Sequence, residues 1–305
     1  MTYSIVARDP QTGELGVAVQ SHYFQVGPVV PWAIAGVGAI ATQSLVNVAY
    51  GPSGLELLRQ GYTAEQALKA LTAGDATPEV RQCAIVDRTG AVAAHTGERC
   101  IPDAGHRTGD GFSCQANLMA RDTVWDAMAN AFTSTDGPLA ERMMVALEAA
   151  EAEGGDIRGK QSAAMLVVTG SPTGRSWEDR IIDLRVEDAP EPLPELRRLL
   201  RIRRAYAASN DADRLAERGD QQGARQMIDA AIGLAPEIGE LKFWAGLDIA
   251  GTGDLDTGCR MMAEVVRDEG EHWVETMRRL VAVGRVSPEL ASTIEARLAA
   301  ARSSL

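Results

Sequence analysis

Lysine is almost missing from this 305-residue chain: among its 30 basic residues only Lys69, Lys160 and Lys242 are lysines. A reaction that needs a buried catalytic amine therefore has few side chains to draw on. Long apolar runs are missing too. The longest, Val26 to Ala41, is broken by Pro28 and Pro31 and falls short of the roughly 20 residues a membrane helix needs, so no membrane span is expected. Positive charge is scarce, with 30 Lys and Arg against 42 Asp and Glu and a net charge of −12. That balance argues against nucleic acid or an anionic membrane as partner and for a small-molecule substrate. The opening MTYSIVARDP has neither the basic segment nor the apolar core of a secretory signal, and a cytoplasmic location is expected. Cys83, Cys100, Cys114 and Cys259 are scattered without a CxxC pair, as free thiols would be.

What is present is a globular composition, 45% hydrophobic and 24% charged, over a length that suits about two domains. Tyr3 to Ala7 and Glu14 to Ser21 are β-rich runs separated by DPQTG, a hairpin signal. Ile34 to Gln43 is glycine-rich and apolar on both faces, which predicts a third strand buried between layers. Helical spacing follows at Leu55, Leu57 and Leu58 and again at Ala67, Leu68 and Leu71, the second set opened by a Thr63/Gln66 capping box. Gln82 to Asp87 and Ala91 to His95 read as a second hairpin, Phe112 to Asn117 as a strand, Thr123 to Phe132 and Leu139 to Glu153 as helices. Ala163 to Thr169 and Ile181 to Glu187 read as closing strands. Strand blocks alternating with helix pairs predict an α+β fold, a four-layer αββα sandwich over residues 1–187, because each sheet needs one face on the core and one under helix. A doubly wound parallel fold ranks second, since the first three strands arrive with no helix between them.

Residues 188–196 (DAPEPLPEL) read as a proline-rich linker and 197–305 as an all-α domain. Gly219-Asp220 and Gly253-Asp254 recur 34 residues apart, with Met227/Met261, Ala231/Val265 and Phe243/Met277 in register. That is the tetratricopeptide period, and it raises two readings: a protein partner bound through the helical repeats, or a small appendage with an apolar core. RRLLRIRR, residues 197–204, reads as an amphipathic helix docking its leucines. Apolar Trp and Met positions in this tail make a homo-oligomer the expected state.

The second residue, Thr2, is small enough for Met1 to be trimmed. A threonine at a free terminus carries a nucleophilic hydroxyl and, on the same residue, an α-amine whose ordinary pKa of about 7.7–8.0 suits a general base. GELGVAVQSHYFQVG, VPWAIAGVGAIATQS, NVAYGP, AAHTGERCIPDAGH and QANLM resemble the bacterial family called domain of unknown function 1028, over about Thr2 to Leu200. That family is grouped by fold with the Ntn (N-terminal nucleophile) hydrolases, so the resemblance implies an Ntn-hydrolase-like αββα fold with Thr2 as nucleophile. It implies no substrate. Ala116 stands where the family's Gln-Gly-Asn has glycine, and the third-strand lysine of proteasome-type relatives has no counterpart here.

With Thr2 as nucleophile, polar residues where apolar strands stop become the expected helpers. Ser21 and His22 follow the second run, and Gln43, Ser44 and Asn47 follow the third; together they are expected to orient substrate. Asn117 is expected to donate to an oxyanion, with Gln115 beside it. His95 and His106 are expected at substrate, and Arg158 on a substrate carboxylate. No metal and no cofactor is expected: His22, His95, Cys100 and His106 lack a CxxC or HExxH core, and GGDIRG at 154–159 lacks the ending of a phosphate loop. The leading expectation is an amidohydrolase cleaving a small amide or related C–N bond. The alternatives are a non-catalytic adaptor using the helical repeats, and a metal- or thiol-dependent hydrolase using those ligands or Cys114.

Overall fold

The computed structural model describes residues 2–302, and the chain divides into two compact units, Met1–Leu199 and Leu200–Leu305. In the first unit β1 (Thr2–Arg8) and β2 (Leu15–Ser21) pair antiparallel. Their turn is held by the Asp9 carboxylate, which accepts from the backbone N–H of Gln11 and Thr12, and by Gly13 at φ +76°. The glycine-rich run expected as a single strand is two, β3 (Pro31–Ile34) and β4 (Gly38–Ser44). Gly36 at φ +67° reverses the chain between them, a conformation that a residue without Cβ reaches freely.

Helices α1 (Tyr50–Arg59) and α2 (Ala64–Ala73) follow, and the Thr63/Gln66 capping box opens α2. Then come β5 (Arg81–Asp87), β6 (Val92–Thr96), β7 (Gly105–Gly109) and β8 (Phe112–Asn117). Strand β7, GHRTG, was not legible as a strand: it is a half-exposed edge with no apolar alternation, ordered by its pairing to β8. Helices α3 (Val124–Ser134) and α4 (Leu139–Ala152) precede β9 (Ser162–Val168) and β10 (Arg180–Val186).

The strands form two antiparallel sheets, β10-β9-β2-β1-β8-β7 and β3-β4-β5-β6. Alternation along each strand sorts its side chains. Val6, Val17, Val19, Ala39, Ala41, Ala84, Val86 and Leu166 meet in the core where the sheets face each other. Ile40 and Ile85 point the other way, onto Leu55, Leu58 and Leu68 of α1 and α2. Helices α3 and α4 cover the outer face of the larger sheet.

The acidic, proline-rich segment becomes helical at Pro192, earlier than a linker reading allows; α5 runs from Pro192 to Glu217. A proline in a first helical turn loses nothing, because its missing N–H would have no partner there. Arg197 anchors this start to Glu148 and Glu141 of α4 at 2.5 and 2.7 Å.

In the second unit α6 (Gln221–Leu234) precedes α7 (Gly239–Gly251), α8 (Leu255–Glu269), α9 (His272–Ala282) and α10 (Pro288–Arg302), and the last four enclose Phe243, Met262, Val265, Met277, Ile294 and Leu298. The recurring Gly-Asp pair is a recurring turn. Gly219 and Gly253 take positive φ, and Asp220 and Asp254 cap the next helix by accepting from Gly223 N and Thr257 N at 2.8 and 3.1 Å. A groove of about 1050 Å³ lies beside Trp244, with Asp213, Asp248 and Arg285 among its lining. Among the described residues no helix is long and apolar enough to cross a membrane.

Candidate active site

The layer between the two sheets changes character along its length. Valines, alanines and leucines fill most of it. At the end where β1 begins, the inward positions are Thr2, Ser4, Ser21, Gln43, Gln82, Gln115 and Asn117, all buried. Thr2 lies between Ser21 of β2 and Asn117 of β8 in register, so the strand pairing itself delivers these three residues to one place.

Four side-chain amides knit this end together. Gln82 Oε1 accepts from Gln43 Nε2 and from Asn117 Nδ2, both at 2.7 Å. Gln82 Nε2 donates to Ala116 O at 2.8 Å and to Thr96 Oγ1 at 2.9 Å. Gln43 Nε2 also reaches Thr2 O at 3.2 Å, and Asn117 Nδ2 reaches the same oxygen at 3.4 Å. Ser4 Oγ donates to Gln43 Oε1 and accepts from Gln115 Nε2, each at 2.6 Å. The Thr2 carbonyl is thus clamped from both sheets, while its hydroxyl lies 3.0 Å from Ser21 Oγ with the residue 6% exposed. Met1, whose removal the nucleophile reading requires, lies outside the described residues.

Strain gathers at the same end. Among the described residues the non-glycine positions with positive φ are Gln25, Ser44, Asp103 and Leu118. Ser44 follows Gln43, Leu118 follows Asn117, Gln25 lies four residues beyond Ser21, and the Asp103 carbonyl holds Met119 N at 3.2 Å. Each such conformation costs about 1–3 kcal/mol, and a fold tolerates that where a loop has to be aimed. Polar atoms buried without a partner lie here as well: Ser44 Oγ, Asn117 Oδ1 and His22 Nδ1. An orphaned buried polar atom is costly, so such a cluster marks a place where a ligand or water completes the bonding.

Several expected site residues have other work. The Asn117 amide is committed to Gln82 and the Thr2 carbonyl, so it is a clamp on β1 rather than a free oxyanion donor. Gln115 is held between Ser4 and Ser113. Asn47 is a turn residue whose amide donates to Asp75 and whose Oδ1 accepts from Ala49 N. His95 faces α2 and bonds Pro78 O at 2.8 Å; His106 bonds Thr96 Oγ1 at 2.8 Å, beside the amide network. Arg158 is turned onto Asp156 by a 2.7 Å ion pair and is not aimed at a substrate carboxylate. His22 abuts the same carboxylate through its backbone N–H at 3.4 Å. Lys160 is paired with Glu191 at 2.7 Å and Glu151 at 3.5 Å. Gln82, the hub of the network, was missed, although a glutamine opening the apolar run QCAIV repeats in mirror image the one that closes β4.

The metal and thiol alternatives lose their geometry. Among the described residues no three His, Cys, Asp or Glu side chains are grouped to hold a metal ion. Burial pushes the thiols of Cys83 and Cys114 far above the usual range, the opposite of what a nucleophilic thiolate needs.

One charged pair braces the loop after Ser44. Arg81 donates to Asp75 at 2.9 Å and to Leu45 O at 2.6 Å. The Arg81 guanidinium, then the Thr77 N–H, hold the Asp75 carboxyl well below the ordinary carboxylate range. A carboxyl depressed in the folded state stabilises above its unfolded pKa of about 4 and loses that contribution as pH falls through the folded value. Asp75→Asn is therefore expected to cost about 1–2 kcal/mol at pH 7 and to flatten the loss of stability below about pH 4, read from urea unfolding across pH.

Residues 2–196 match the family of unknown function DUF1028. Among solved structures, a protein of that family from Silicibacter pomeroyi is 32% identical, the match covering 65% of this chain and 84% of that one, with a TM-score of 0.59. Anbu, the ancestral beta-subunit, from Yersinia bercovieri matches at 12% identity over 64% of this chain and 92% of that one, with a TM-score of 0.34. No curated protein matches the chain.

Proposed function

This chain belongs to the family of unknown function DUF1028, and from that premise we propose that it is an Ntn-type amidohydrolase on a four-layer αββα sandwich, with Thr2 as nucleophile after loss of Met1. One observation carries the reading: the Thr2 hydroxyl is buried 3.0 Å from the Ser21 hydroxyl at the polar, strained end of the layer between the sheets. In the reaction Thr2 Oγ1 bonds to the carbonyl carbon of an amide as its proton passes to the Thr2 α-amine. The C–N bond then breaks, the amine product leaves with that proton, and water hydrolyses the acyl ester to restore the hydroxyl. Ser21 orients the Thr2 hydroxyl. Asp156, buried and held by Arg158, accepts from the backbone N–H of His22 next to Ser21 and so fixes the loop that follows Ser21.

Intact mass combined with a turnover assay on phenylacetyl-p-nitroanilide tests this. Active protein lacking the mass of Met1 is the expected result; hydrolysis by protein that keeps Met1 would overturn it. The adaptor alternative has one observation in its favour, the groove beside Trp244 in the helical unit.

A further inference from the structure

Resting on Thr2 as the nucleophile, we infer that the acyl side of the substrate is uncharged and apolar, an aliphatic or aromatic chain seated on a rim of exposed hydrophobic side chains around the Thr2 end. Among the described residues the large hydrophobics left exposed include Tyr23, Phe24, Leu45, Val48 and Ile157, from 36% to 63% exposed. All five sit on three loops at this end. Tyr23 and Phe24 follow Ser21 and His22, Leu45 and Val48 follow Ser44, and Ile157 is next to Asp156. Such side chains scattered singly need no explanation, but five grouped around one concentration of strain and orphaned polar atoms do.

Hydrogen bonds hold these loops in place. Ser162 Oγ donates to Tyr23 O and accepts from Val26 N, and Gln25 N donates to Glu187 O. Leu45 O is taken by Arg81 at 2.6 Å, and Ile157 N donates to Leu118 O at 3.3 Å. The backbone is pinned while the apolar side chains stay in water, an arrangement that a bound apolar group would relieve.

Charge decides against an anionic acyl group. Arg158, on the loop of Ile157, is paired with Asp156, and Arg81, which reaches Leu45 O from the start of β5, is paired with Asp75, so each of these two guanidinium groups already has its carboxylate. The orphaned Ser44 hydroxyl and Asn117 carbonyl oxygen suit the polar atoms of an amide within an apolar surround.

Full-length protein carrying Thr2→Ala separates binding from turnover. Titrated calorimetrically with phenylacetamide, hexanamide, acetamide and succinamate, it is expected to bind the first two at least ten-fold more tightly than the last two. Adding Phe24→Ser and Ile157→Ser is expected to remove that preference while circular dichroism and acetamide binding stay unchanged. Tightest binding of succinamate, equal binding of all four, or indifference to the rim substitutions would overturn the inference. So would a dimer dispersed by Phe24→Ser in sedimentation, which would assign the rim to a second copy of the chain. The expected selectivity in a wild-type protein that cleaves none of these amides would sink the nucleophile reading and leave the apolar site standing; cleavage that favours succinamate would do the reverse.

Discussion

Replacing Thr2 by valine is expected to lower hydrolysis of phenylacetyl-p-nitroanilide by roughly 10³-fold or more while the protein stays folded, whereas Thr2→Ser is expected to keep a substantial part of the rate. Valine preserves the branched shape in a site that is 6% exposed and removes the hydroxyl proposed to form the acyl ester. Serine restores that group without the methyl. The cost in stability is small, because among the described residues Thr2 Oγ1 is hydrogen-bonded to Ser21, and the clamps act on its carbonyl. Activity in the valine variant equal to wild type would end the proposed mechanism. Equal loss in the serine variant would assign Thr2 a structural role.

Gln82→Leu is expected to cost about 3 kcal/mol of stability and to lower turnover as well, acting on Thr2 through Gln43 and Asn117. Its carbonyl oxygen is the shared acceptor of Gln43 and Asn117, and its amide serves Ala116 O and Thr96 Oγ1. Leucine leaves several of these groups buried without partners, at about 1–3 kcal/mol for each one that stays unsatisfied. The two amides that hold the Thr2 carbonyl lose their common anchor, so kcat is expected to fall more than KM rises. Q82E provides the discriminating case. A buried carboxylate keeps the two acceptor contacts, but its ionised form is penalised and its folded pKa is raised. The variant is therefore expected to be most stable below the ordinary glutamate pKa of about 4.3 and to weaken as pH rises through the raised value. A pH-independent Q82E, measured by urea unfolding, would show that the network does not bear on this end of the fold.

The strand and helix order of the first unit was legible because alternation and caps are local signals. Thr63 and Gln66 announced α2 by themselves, and the paired apolar runs announced β1, β2, β5 and β8. Where legibility failed, the cause lay in partners distant in sequence. GHRTG carries no strand pattern and is a strand only because β8 lies beside it. The reversal at Gly36 was hidden inside a run that reads as continuous. Asn117 and Gln115 were recognised as polar residues in the right place, but the part they play is set by Gln82, Gln43 and Ser4, which come from other strands. The role of Arg158 is likewise set by a contact, the ion pair with Asp156 two residues away.

The sequence by itself determined the alternation of strand blocks and helix pairs, the scarcity of lysine and the presence of a threonine able to become a leading nucleophile, because these are properties of composition and short-range period. The tertiary structure alone decided that Thr2, Ser21, Gln43, Gln82 and Asn117 share one buried end and that strained loops and exposed apolar side chains lie beside it. The physical reason is register. Once the two sheets face each other, the inward positions of five strands converge on a single place, and no pattern along one strand reveals what its neighbours bring there.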